Sequence, residues 1–91
     1  MSKKAKLSPH YVRQAITTRY IGPSNTRGSR VKASAEAGSI VLSYDPALDS
    51  YGNHATAALA LADKFAWGGM WLGGGTGAGY VFVDIGGNSH D

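Results

Sequence analysis

Arg30-Val31-Lys32-Ala33-Ser34-Ala35-Glu36-Ala37-Gly38-Ser39-Ile40-Val41-Leu42-Ser43-Tyr44 is the stretch on which the fold turns. Its first six residues alternate: Arg30, Lys32 and Ser34 point one way, and Val31, Ala33 and Ala35 the other. That is the period of a half-buried strand. Glu36-Ala37-Gly38 reads as a tight turn. Ser39–Tyr44 reads as the next strand, with Ile40, Leu42 and Tyr44 inward, and Asp45-Pro46 ends it. Two strands joined so closely pair antiparallel.

Working outward toward the N-terminus, Gly22–Ser29 is a loop by composition. Before it, Ile16-Thr17-Thr18-Arg19-Tyr20-Ile21 is a β-branched and aromatic strand, with Ile16, Thr18 and Tyr20 on one face and Thr17, Arg19 and Ile21 on the other. Ser8-Pro9 has the form of a helix start, so a short N-terminal helix is expected up to Ala15. Residues 1–7 read as a basic arm.

Toward the C-terminus, Ala57, Ala58, Leu61, Ala62 and Phe65 recur at helical spacing and predict one main helix, capped by Ser50 or Asn53. Gly68-Gly69 after Trp67 is read as its left-handed stop. Met70-Trp71-Leu72 and Tyr80–Ile85 read as two further strands joined by the glycine-rich run 73–79, with a polar tail over 86–91. The expected fold is α+β: one domain over 8–85, an antiparallel sheet of four to five strands packed on one main helix. The uncovered face of the sheet would carry Arg19, Arg30 and Lys32.

Charge is unevenly distributed along the 91 residues. Lys3, Lys4, Lys6, Arg13, Arg19, Arg27, Arg30 and Lys32 fall in the first third with no acid among them, whereas Lys64 alone faces Glu36, Asp45, Asp49, Asp63, Asp84 and Asp91 in the rest. Such asymmetry points to a polyanionic partner or an acidic protein surface. Apolar residues make up 43% of the chain, enough for a packed domain. There is no cysteine, which removes disulfides and thiol chemistry and fits a cytoplasmic protein. No apolar run is long enough to span a membrane. None follows the basic N-terminus in the manner of a secretory signal.

Catalytic constellations are not legible. Gly73, Gly75 and Ala78 match a loose G-x-G-x-x-A, but a strand rather than a helix is expected after them, so no helix N-terminus would meet a phosphate. His10, His54 and His90 lack metal-ligand spacing. His54 is expected to be exposed or locally bonded. Asp45 and Asp49 straddle Pro46, and the serines lie in no nucleophile elbow. The expectation is a non-catalytic protein without cofactor or metal. The aromatic group Trp67, Trp71, Tyr80 and Phe82 reads as packing. The strongest functional segment is Ser24–Lys32. Arg27, Arg30 and Lys32 supply cations, Asn25 supplies further donors, and Arg19 and Tyr20 stand on the neighbouring strand, the tyrosine able to stack on a base. Lys3, Lys4 and Lys6 extend the candidate surface.

Gly22-Pro23 after the first strand and the alanines 55, 57, 58, 60 and 62 are similar to the double-stranded RNA-binding domain, although Gly52-Asn53-His54 stand where that family carries lysines. Tyr20-Ile21-Gly22-Pro23, Thr26-Arg27-Gly28-Ser29-Arg30-Val31-Lys32-Ala33, Tyr44-Asp45, Asn53-His54 and Gly79-Tyr80-Val81-Phe82-Val83 resemble small proteins encoded by phages, plasmids and bacterial genomes. That resemblance implies a mobile-element protein, a group that includes anti-CRISPR factors. Two functions are therefore expected: binding nucleic acid through a basic surface, or inhibiting a host defence effector, such as a CRISPR complex, by binding it. A homodimer through an edge strand is compatible with either.

Overall fold

The computed structural model describes residues 3–7 and 14–85. The elements are β1 (Ile16–Ile21), β2 (Arg30–Ala35), β3 (Gly38–Ser43), α1 (Ser50–Lys64), β4 (Trp71–Gly75) and β5 (Gly79–Asp84). The strands form one sheet in the order β3-β2-β1-β5-β4, and every neighbouring pair is antiparallel. The α+β architecture read from the sequence is present, with five strands and one main helix. The expected N-terminal helix falls on residues 8–13, outside the described residues, while Gln14 and Ala15 belong to no helix. The polar tail likewise lies outside them.

Period-2 alternation sorts the sheet into two faces. On β1, Ile16 and Thr18 are buried while Thr17 and Arg19 are exposed; on β2, Val31 and Ala33 are buried. Phe82 of β5 joins them opposite Ile16. α1 covers this side with Ala57, Ala58, Leu61 and Ala62. Alanine on the helix lets its backbone come close to Ala33, so the core is small. Its largest fully buried side chains are Ile16, Leu61 and Val31, each worth about 1.5–3 kcal/mol of burial.

The entry to α1 is held by side chains other than those expected. Asp45-Pro46-Ala47-Leu48 is a β-turn closed by Leu48 N–H to the Asp45 carbonyl at 3.1 Å, with the Asp45 carboxylate accepting from Ala47 N–H at 2.9 Å. Aspartate first and proline second is the preferred chemistry of such a turn. The N-cap is Asp49, not Ser50 or Asn53; its carboxylate accepts from Gly52 N–H at 2.7 Å. Asn53 is buried and acts as a clasp. Its amide oxygen accepts from Asp45 N–H at 2.7 Å, and its amide nitrogen donates to the carbonyls of Asp45 at 2.9 Å and Asp49 at 3.0 Å.

α1 stops earlier than expected. Ala66 adopts φ 58°, and the chain closes as a Schellman motif: Trp67 N–H to Ala62 O at 2.8 Å, Ala66 N–H to Asp63 O at 3.0 Å. Gly69 follows at φ 96°, a second left-handed residue in the connection rather than the helix stop. The glycine-rich run is also divided differently. Residues 73–75 complete β4, and only Thr76, Gly77 and Ala78 connect to β5. Glycine at 73 has a specific cause: a Cβ there would lie 2.6 Å from Phe82 Cε2 and 2.8 Å from the Tyr51 hydroxyl. The strand gives up a side chain so that the aromatic rings can occupy its face.

Candidate functional site

The register of β1 on β2 sets Arg19 directly opposite Lys32 and Ile21 opposite Arg30, so Arg30 is the diagonal neighbour of Arg19. Directly opposite residues have Cβ atoms about 4.5–5.5 Å apart, and diagonal ones about 7–8 Å. All three cations share the sheet face that α1 leaves uncovered. On its other side Arg19 meets Gly79, which has no side chain; Lys32 meets Val41 and Arg30 meets Ser43. Among the described residues, no strand position on this face carries an aspartate or glutamate. Asp84 belongs to the helix side, and Glu36 sits in the β2–β3 turn.

Two depressions flank the cations. One of ≈ 270 Å³ is lined by Thr17, Arg19, Lys32, Ser34 and Thr76, among others. Its chemistry is two cations among hydroxyl-bearing side chains. Thr76 Oγ accepts from the N–H groups of Ala78 at 3.2 Å and Gly79 at 2.9 Å, which orients it and leaves its O–H to donate. The other, a groove of ≈ 540 Å³ at the strand ends, is lined by Arg27, Ser29, Arg30, Tyr44 and Pro46, among others. Arg27 reaches it from a turn closed by Ser24 N–H to the Arg27 carbonyl at 2.7 Å, and by Arg27 N–H to Ser24 Oγ at 3.2 Å. The Arg30 Nε is buried without a hydrogen-bond partner among the described residues. A buried donor left unpaired is costly, and an incoming oxyanion is the group that satisfies a guanidinium.

The structure thus gathers Arg19, Arg30 and Lys32 on one face and sets Arg27 beside Arg30. Asn25 is exposed in the middle of the 24–27 turn. Tyr20 stands apart from these cations. It shares the helix side of β1 with Ile16 and Thr18, its hydroxyl is bonded to Ser29 Oγ at 2.7 Å, and its ring meets Tyr44 edge-on at 5.6 Å. Adjacent strand residues point to opposite faces, so Tyr20, 49% exposed, buttresses the Tyr44 wall of the groove and does not share the face of Arg19. Lys3, Lys4 and Lys6 are exposed and lie in no helix or strand, so nothing in the sheet positions them against the three face cations.

His54 is corrected: it is 3% exposed, and its Nδ1 pairs with Thr18 Oγ1 at 2.7 Å, across the helix–sheet interface. Its ring packs edge-on against Tyr80, and burial pushes its pKa below the ordinary 6.5. It fastens α1 to β1. Among the described residues no cluster of three or more His, Asp or Glu side chains is placed to hold a metal ion, and no helix is long and apolar enough to cross a membrane.

Sequence reasoning missed the other half of the open face. Ile85 N–H bonds to the Met70 carbonyl at 2.8 Å, and Leu72 stands opposite Val83. Continuing the alternation, Met70, Leu72, Val81, Val83 and Ile85 share this face beside the cations. Met70, Leu72 and Ile85 are each more than half exposed. The signal was present as alternate apolar residues 81, 83 and 85, but only the β4–β5 register shows which face they take. No protein-family model, curated protein or solved structure matches the chain.

Proposed function

We propose that this protein is a small non-catalytic binding module that engages nucleic-acid phosphates through the open face of its sheet. The observation that carries the reading is the placement of Arg19, Lys32 and Arg30 as cross-strand and diagonal neighbours on a face where, among the described residues, no strand position carries a carboxylate. Like charges set opposite each other destabilise a sheet. A polyanion turns that cost into attraction, with Arg27 and Arg30 set against phosphates at the strand ends and Arg19 and Lys32 against others, one phosphate to each cation. With these four contacts, log K against log salt has a slope of about −3.6 on duplex and −2.8 on single strands.

A gel shift with duplex and single-stranded DNA and RNA at two salt concentrations tests this. Binding at low salt that weakens on that slope, and loses roughly one unit of slope for each cation removed, is the expected result. No shift with any of the four probes at low salt refutes it.

A second reading has its own observation. The apolar residues Met70, Leu72 and Ile85 beside the cations suit a protein surface, because interface cores are apolar and their rims polar. On that reading the module is an inhibitor that docks on a nucleic-acid-handling effector, where its arginines pair with the effector's acids. Association unaffected by charge reversal at Lys32 but abolished by Leu72→Asp would favour it.

A further inference from the structure

β3 forms one rim of the sheet, and its backbone specifies what fits there. β2 and β3 are joined by the two-residue turn Glu36-Ala37, with Ala35 opposite Gly38, and pair one-to-one to Arg30 opposite Ser43. In an antiparallel pair, hydrogen-bonded and non-bonded residues alternate. Tyr44 N–H bonds inward to the Ser29 carbonyl at 2.9 Å. Counting back from Tyr44, Leu42, Ile40 and Gly38 spend their backbone groups on β2. Ser39, Val41 and Ser43 turn their N–H and C=O groups away from β2, to a rim with no hydrogen-bond partner among the described residues.

Rims of this kind are normally blunted by charge, proline or a bulge. β3 has none of these: Gly38-Ser39-Ile40-Val41-Leu42-Ser43 is uncharged and unbroken. We propose that β3 is a dimerisation edge, where two copies of the chain pair antiparallel about a two-fold axis centred on Val41. The register is self-complementary. Val41 meets the partner's Val41, Ser39 meets the partner's Ser43, and Ile40 meets the partner's Leu42. The outward residues 39, 41 and 43 then exchange six main-chain hydrogen bonds.

A centre between two residues would oppose an outward backbone to an inward one and form none, so the axis must fall on a residue. That choice keeps both helices on one side and both cationic faces on the other. α1 packs most extensively on β2, so the two helices stand about three strand spacings, roughly 14 Å, apart. That is wider than the 8–10 Å of packed helices, and the helices do not collide. The same spacing separates Lys32 from the partner's Lys32, beyond the screening length of about 8 Å at physiological salt. The other rim, β4, fits a copy less well, because Gly73, Gly74 and Gly75 have no side chains to form cross-strand pairs.

The proposal goes beyond the nucleic-acid reading and is tested without any nucleic acid. By sedimentation equilibrium, the wild-type mass rises with concentration from 9.5 kDa toward about twice that. Val41→Lys places a charge on the rim at an exposed position and stays at the monomer mass. Leu72→Lys, on the opposite rim, dimerises as the wild type does. Amide exchange of the wild type reads the register directly. At high concentration Ser39, Val41 and Ser43 slow by about tenfold or more, while Ile40 and Leu42 are protected at every concentration. A wild type that stays monomeric at about 1 mM, or a Val41→Lys variant that dimerises undiminished, overturns the proposal. Rapid exchange at 39, 41 and 43 in a dimer overturns it equally, whether or not the variants fold.

Discussion

Lys32→Glu makes the protein more stable and a worse binder. In the native sheet Lys32 faces Arg19 across one strand spacing, with Arg30 two residues away on its own strand. Two unit charges about 7 Å apart at the surface repel by roughly 0.6 kcal/mol in water, and screening at about 0.15 M salt removes more than half of that. Reversing one charge converts repulsion into attraction, so the change is about twice the pair energy. That is roughly 0.5 kcal/mol at physiological salt and about 1 kcal/mol at low salt. A domain of this size gains about 4–8 °C in Tm per kcal/mol, so thermal melts in about 10 mM salt should rise by several degrees. Lys32→Gln, which removes the repulsion without adding an attraction, should lie midway. The same charge reversal deletes one phosphate contact and adds an anion beside it, which should lower affinity for nucleic acid by at least about tenfold. If Lys32→Glu melts no higher than Lys32→Gln at low salt, the cations are not held against each other and the electrostatic argument fails. If it melts higher and binds unchanged, the strain is real but this face is not the binding surface.

Ala66→Gly removes the penalty of a side chain at φ 58° and should stabilise the fold by about 0.5–1 kcal/mol in urea unfolding; a loss of stability would mean that the alanine methyl makes contacts worth more than the strain. His54 titrates below its ordinary 6.5 in the fold because it is buried, so the unfolded chain takes up the proton first. Its contribution is complete above about pH 6.5 and is lost as pH falls through the folded value. Urea midpoints measured between about pH 7.5 and pH 5 should therefore fall, and His54→Gln should flatten that fall, whereas an unchanged profile would show that the histidine does not couple to folding. Asn53→Ala unfastens the turn before α1 and should cost about 2–3 kcal/mol; a cost under about 0.5 kcal/mol would show that water replaces the clasp.

The strands were readable because burial on one side imposes alternation, which survives in Arg30–Ala35 and Ile16–Ile21 without knowledge of any neighbour. The three face cations were readable for the same reason. Parity likewise put Tyr20 on the opposite face from Arg19, and the register of β1 on β2 agrees. The pairing of β1 with β5 joins residues sixty or more positions apart, and local pattern carries no trace of such a choice. Asp49 took the cap because the Asp45-Pro46 turn delivers the chain one residue earlier than the serine. Glycine is poor in strands, so 73–75 read as loop; the tertiary demand of Tyr51 and Phe82 for space overrode that preference. A left-handed alanine at 66 runs against steric preference. It lies between Phe65 and Trp67, whose rings contact each other at 5.2 Å.

Among the described residues β4 is a rim strand hydrogen-bonded only to β5, and beyond Trp71 and Leu72 it has no side chain with which to hold on. The molecule is therefore lopsided in its resistance to opening. Breathing should begin by peeling β4 away, at a cost well below that of global unfolding, while β1, β2 and α1 stay shut. Each such excursion uncovers the β5 edge and its valines for a moment, so a protease or a chaperone would meet this domain first at its glycine end.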